Sequence, residues 1–131
     1  MFTRNVFILG AALFLSGCAT YEGLYAPSCL AYSGSEIRLV DGRYVWKKFT
    51  DQVVVDENGD RVDPFPGFPR EGAYAKQGNR ITLGSGASGP SDTMYLVEHN
   101  DEVFLYTAAE AEAFEATGER PACPLKLQPA D

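Results

Sequence analysis

Three cysteines and one histidine are the residues of this 131-residue chain with the most specific chemistry. Cys18 ends an apolar leader, and Cys29 and Cys123 stand near the two ends of the remaining chain. Two cysteines in an exported domain usually oxidise to a disulfide. Cys29 and Cys123 are therefore expected to bond, tying the start of the domain to its end. There is no Cys-x-x-Cys, so a dithiol redox role is not indicated. Neither thiol has metal-ligand spacing around it, and no metal or cofactor is expected. His99 falls in a polar turn, His99-Asn100-Asp101. A catalytic histidine needs a nucleophile and an orienting carboxylate in a cleft. Ser91 and Asp101 supply those residue types, but no nucleophile-elbow signature surrounds them. Eighteen acids contain many carboxylate pairs by chance, and spacing cannot select one. No catalytic residue is assigned.

Two motifs match chemical signatures by letter only. Gly84-Ser85-Gly86-Ala87-Ser88-Gly89 fits G-x-G-x-x-G, but Pro90 and a strand follow where a nucleotide site needs a helix N-terminus. It reads as a loop. Asp56-Glu57-Asn58-Gly59-Asp60 resembles the start of a calcium loop, yet its sixth and twelfth positions are Arg61 and Gly67, not Gly and Glu. A hairpin turn is expected there.

The leader explains the third cysteine. Arg4 precedes an apolar run from Val6 to Leu15, and small residues come next, as in a secretory signal. A run of about ten is too short for the roughly twenty residues that span a bilayer. Leu15-Ser16-Gly17-Cys18 resembles the lipobox of bacterial lipoproteins. The resemblance implies a diacylglyceryl group on the Cys18 thiol, cleavage before Cys18, and acylation (typically palmitate) of the new amine. Buried acyl chains contribute about 0.8 kcal/mol per CH₂, so several anchor far more firmly than one. Ala19, where an inner-membrane lipoprotein usually carries Asp, implies the outer membrane. The expected organisation is a signal peptide at 1–17, a lipid-anchored tether at 18–28 and one globular domain at 29–131, on the periplasmic face. Tyr21 and Tyr25 would then lie at the membrane interface.

Arg4 is the only charge in the leader, so the mature chain carries ten Lys and Arg against eighteen Asp and Glu. A formal charge of −8 argues against nucleic acid and against docking on anionic lipid. It permits a cationic envelope protein as partner. The remaining length suits one domain.

Around these residues the sequence reads as strands and turns. Glu36–Val40, Arg43–Thr50, Gln52–Asp56, Gly72–Lys76, Arg80–Leu83, Thr93–Glu98, Glu102–Tyr106 and the Cys123-to-Leu127 alternation are the expected strands. Asp41-Gly42 and Gly78-Asn79 mark turns, and Asn58-Gly59 is a type I′ hairpin signal. One helix is expected over 108–117. Thr107 and Glu110 form a capping box before it, Gly118 sits past its end, and Phe114 is its one large apolar residue. Residues 63–70 hold three prolines and cannot be a central strand. Phe65 and Phe68 in that stiff segment either contact a partner or fold inward to cap the core.

The expected fold is mainly β: an antiparallel meander or small barrel of about eight strands with one short C-terminal helix. Gly42-x-Tyr44 and Gly72-x-Tyr74, the latter continuing into Gly78-Asn79-Arg80-Ile81-Thr82-Leu83, resemble small lipocalin-like periplasmic lipoproteins. No functional residue follows from that resemblance. The expected function is a small, acidic, non-enzymatic outer-membrane lipoprotein with a structural or envelope-assembly role. One alternative is a binding module for a cationic protein. Barrel lipoproteins that inhibit lysozyme are similar in size, anchor and charge, although their Tyr-x-Cys motif is absent here: Tyr25 and Cys29 are four apart. The other alternative is an envelope hydrolase.

Overall fold

A computed structural model describes residues 21–84 and 92–130. Cys18, the rest of the lipobox, Ser91 and most of the Gly84–Gly89 loop lie outside the described residues. Eight strands run in chain order: β1 (Gly23–Pro27), β2 (Ser33–Val40), β3 (Arg43–Thr50), β4 (Arg70–Gln77), β5 (Arg80–Leu83), β6 (Thr93–His99), β7 (Glu102–Thr107) and β8 (Leu125–Leu127). Helix α1 (Ala108–Thr117) lies between β7 and β8. Each strand pairs antiparallel with its neighbours in sequence, and β8 pairs with β1, so the sheet is a closed barrel.

Residues directly opposed in an antiparallel pair share a face. The register therefore carries one inward set around the ring. Tyr25 faces Leu127 and Ile37, Leu39 faces Tyr44, Tyr74 faces Leu83, and Ile81 faces Met94. Leu105 faces Leu96 and Leu125. Tyr25, Ile37, Leu39, Ile81, Leu83 and Leu105 are wholly buried. Phe104 and Tyr106 have the opposite parity and point out of the barrel, yet they too are buried. Helix α1 covers that outer face. Its Phe114 meets Tyr106 edge-on, with ring centroids 5.9 Å apart, and the Arg120 guanidinium lies 5.4 Å from the Phe104 ring centroid.

The helix forms where expected. Thr107 accepts from the Glu110 amide at 3.1 Å, and Glu110 accepts from the Thr107 amide at 2.9 Å. Gly118 ends the helix in the left-handed region at φ 75° and donates to Phe114.

The two ends of the barrel differ. At the turn end, β2–β3, β4–β5 and β6–β7 are joined by the two-residue links Asp41-Gly42, Gly78-Asn79 and Asn100-Asp101. Asp41-Gly42 and Asn100-Asp101 have positive φ at both positions (53° and 78°, 53° and 66°), the type I′ geometry that suits strand twist. Residues 21–22 and 128–130 also leave from this end. At the loop end lie the connections 28–32, 51–69 and 108–124, and the one from Leu83 to Thr93.

Four expectations are corrected. The barrel begins before Cys29: Gly23–Pro27, placed in the tether, is a strand paired on both sides. Tyr25 is not at a membrane interface but wholly buried, because its register places it inward. Gln52–Asp56 is not a barrel strand. It forms one arm of a small hairpin with a single bridge, Val55 to Arg61, so the eighth strand is β1 instead. The Asn58-Gly59 link is not type I′. Only Gly59 has positive φ there (82°), and Gly59 donates to Asp56 O at 3.0 Å. The Asp56 carboxylate accepts from the Asn58 and Asp60 amides at 2.9 and 3.0 Å, which selects a longer turn. A smaller difference concerns His99, which ends β6 opposite Glu102 rather than lying in the turn.

Cys29 and Cys123 form the expected disulfide, with Cα atoms 5.5 Å apart and a sequence separation of 94. It joins the β1–β2 connection to the segment before β8, beside a Ser28 N–H···O Pro124 bond of 3.0 Å. Closing a loop of that length constrains the unfolded chain by at most about 5 kcal/mol. The Cys29→Ser, Cys123→Ser double variant should lose a few kcal/mol in urea unfolding with the melt still cooperative. Titration of the unreduced, unfolded parent should find neither thiol free.

Candidate functional site

The loop end gathers the residues with unusual surroundings. Strand register brings Trp46, Lys48 and Arg70 to the inward face there: Trp46 opposes Ile37 and Arg70, and Lys48 opposes Ser35. The Pro-Phe segment folds back over them. Phe65-Pro66-Gly67-Phe68 is a type II turn by sequence, with Pro second and Gly third. Gly67 has φ 90°, and Phe68 donates to Phe65 O at 3.1 Å. Asp63 Oδ1 accepts from the Phe65 amide at 2.9 Å and fixes the approach. Phe68 meets Trp46 edge-on, with centroids 5.2 Å apart.

Two cations pack on these rings. Lys48 Nζ lies 4.8 Å from the Phe68 centroid, 5.7 Å from Trp46 and 5.9 Å from Phe65. The Arg70 guanidinium lies 5.4 Å from Trp46 and 5.7 Å from Phe68. Arg70 also donates from both terminal nitrogens to Asp92, at 3.1 Å each. Asp92 is 3% exposed, and the fork gives this buried side chain its partner. Hydrogen bonding to Asp92 holds the Arg70 guanidinium above its already high ordinary value. Phe65 and Phe68 are half-buried in this cluster. Below it, a cavity of about 390 Å³ lies between Trp46, Ser35, Met94, Glu110 and Pro124. Its floor is closed by the wholly buried Ile37 and Leu105.

Outside the cluster, residues 51–63 project as a finger. Val62 donates to Val54 O at 3.0 Å and Asp56 to Asp60 O at 2.9 Å. Val53, Val54, Val55 and Val62 are 61, 39, 52 and 41% exposed. Asp51, Asp56, Glu57, Asp60 and Asp63 are interleaved with them. The finger and the adjoining β3 border a groove of about 690 Å³.

The turn end is locked rather than open. Glu22 accepts from the Asp41 and Gly42 amides at 3.0 and 3.1 Å and from the Tyr74 hydroxyl. Tyr25 donates to Tyr21 O, and Tyr21 stacks edge-on against Tyr74 at 6.5 Å. Burial raises the Glu22 carboxyl, but Tyr74 and the two amides outweigh it and hold it below 4.5. Burial pushes the Tyr74 and Tyr25 hydroxyls well above the usual tyrosine range.

The chemistry-bearing residues do not meet. His99 is at the turn end of β6, and the disulfide is at the loop end. Among the described residues, no three His, Cys, Asp or Glu side chains are grouped to hold a metal. Also among them, no helix is long and apolar enough to cross a membrane. Trp46, Lys48, Arg70 and Asp92 carried no sequence signal as a group, because Arg70 reaches Trp46 on the neighbouring strand and Asp92 from 22 residues away only once the chain is folded. The stiff Pro-rich segment with Phe65 and Phe68 was the one local sign.

Two outcomes test this geometry. Phe68→Ala should cost about 1–2 kcal/mol, below the 3–5 of a fully buried ring, read by denaturant unfolding. The Glu22 carboxyl is lowered in the folded chain, so the unfolded chain protonates first as pH falls. The stability it supplies is complete above about pH 4.5 and drains as pH drops through the lowered value. Glu22→Gln should therefore melt below the parent at about pH 7, with the gap closing as pH falls below about 4.5, read by calorimetry.

No protein-family model, no curated protein and no solved structure matches this chain.

Proposed function

We propose that the chain is a small, acidic, non-enzymatic lipoprotein of the outer membrane, anchored through Cys18 on the periplasmic face, with a structural or assembly role in the envelope. The observation that carries this reading is the spacing between the lipobox and the locked turn end. Tyr21 and Glu22 are bound to the barrel, and Tyr21 is three residues from Cys18. At no more than ~3.6 Å per residue, the link reaches about 11 Å. An acylated Cys18 would hold the turn end against the bilayer and direct the loop end away from it. That geometry suits a protein that presents loops to an envelope neighbour. It does not suit one that patrols at the end of a long tether.

The non-enzymatic reading is supported by what three partnered carboxylates do. Asp92 is paired with Arg70, Glu110 caps α1, and Glu22 clamps a turn. Each is engaged in holding the fold. The cationic-partner alternative is favoured by one further observation, the carboxylates concentrated on the finger.

Cys18→Ser should block processing, leaving a precursor that keeps residues 1–17. Pulse-labelling with palmitate and membrane fractionation read the outcome. A mature-sized, soluble periplasmic product from this variant would refute the anchor. Protease shaving of intact cells should leave the domain uncut, as a periplasmic face requires.

A further inference from the structure

We infer that the finger, residues 51–63, together with Leu30 and Tyr32, is a docking surface for a basic protein that offers an apolar cleft. Seven large apolar side chains are exposed among the described residues, and six are here: Leu30, Tyr32, Val53, Val54, Val55 and Val62. Only Val40 lies elsewhere. The two connections adjoin, since Asp51 donates to Tyr32 O at 2.9 Å. Single exposed apolar residues are ordinary, but a gathered set marks an interaction site. The fold does not require this one. None of the six belongs to a barrel strand, and none reaches the core. The finger is also held in shape by its own backbone bonds and the Asp56 cap, so little freedom is lost on binding.

Charge selects the partner. Residues 51–63 carry five carboxylates and one guanidinium. An anionic membrane surface would repel them. A second copy of the chain would set the same charges against each other. A basic protein is attracted at a distance and held in register on contact. The groove beside the finger offers Phe49 and Phe65 to that partner's apolar side chains, but Lys47, Lys48 and Arg61 line it too, so the partner's basic groups must meet the carboxylates of the finger and not the groove. This surface is independent of the anchor and would exist on a soluble form of the domain.

The test places a photoreactive benzoylphenylalanine at Val54, and separately at Arg43 near the turn end, in the full chain expressed in its own cells. Adducts are identified by mass spectrometry. The captured protein is then purified and titrated against the full chain. One protein with a basic surface should dominate at Val54 and be absent at Arg43. Its affinity should fall at least about tenfold between ~50 and ~300 mM NaCl, as screening shortens the reach of the charges. Val53→Ser with Val54→Ser should weaken binding at least about tenfold with an unchanged melting temperature, because neither side chain is in the core. Glu57→Gln with Asp60→Asn should weaken it and flatten the salt dependence, with Asp56 kept because it holds the turn. Equal adducts at both sites, adducts only with lipid or with a second copy, salt-insensitive binding, or serine variants that bind like the parent would each overturn the proposal. Fractionation of the same cells reads the anchor separately, so failure of one does not count against the other.

Discussion

The molecule depends on the closure made by β8. That strand has three residues, Leu125–Leu127, yet it pairs with β7 on one side and β1 on the other. Without it, β1 and β7 would each present an open edge, the form of sheet most prone to pairing with other chains. Three residues form few ladder bonds, so the closure draws on more than the backbone. Leu125 and Leu127 face inward to Leu105 and Tyr25, and Lys126 faces outward to Glu102 at 2.6 Å. The Cys29–Cys123 bond lies just above and holds the approaching segment beside β1. Burial, an exposed ion pair of small worth and one covalent link thus act on the same short seam.

Closure with an even number of strands has a geometric consequence. An up-and-down chain of eight strands must begin and end at the same end of its barrel. Four connections then fall at the opposite end. Here the three links at the terminal end are two-residue turns, and most of the irregular chain among the described residues lies in the connections at the other end. Tyr21 therefore lies at the far end from the loops. Tyr21 and the finger thus stand at opposite ends of the barrel because of strand parity.

Much of this fold was legible because local and global signals agree. Capping box, Phe114 and Gly118 bracket the ten-residue helix α1, and the structure keeps all three roles. Alternation in Arg43–Thr50 and Arg80–Leu83 matches strands with the same bounds. The misses have a common cause, which is long-range register. Gly23–Pro27 contains two glycine or proline positions and no run of β-branched residues, so it reads as linker. It becomes a strand because β2 and β8 flank it. Val53–Val55 has the stronger strand propensity and is left outside the barrel, because Asp56 and the prolines from Pro64 on divert the chain. The site divides the same way. The stiff Pro-Phe segment was visible, but Arg70 meeting Asp92 beside Trp46 was not, since it depends on which strands become neighbours.

The placement of the finger's charges also bears on why its valines are tolerated. Four exposed valines in a two-armed hairpin are a hazard for self-association through sheet edges. Carboxylates flank them on both arms, and a hairpin from a second copy would bring acid against acid. The same arrangement that blocks self-pairing lowers the free energy of meeting a basic surface, because the unfavourable field is removed only when opposite charge arrives. A single pattern of valine and carboxylate thus keeps the unbound chain apart from its copies and sets the chemistry of what it can bind. The Trp46–Phe68–Lys48 cluster at the base keeps the Pro-Phe segment folded against the barrel, so the finger projects from a fixed root rather than a loose loop.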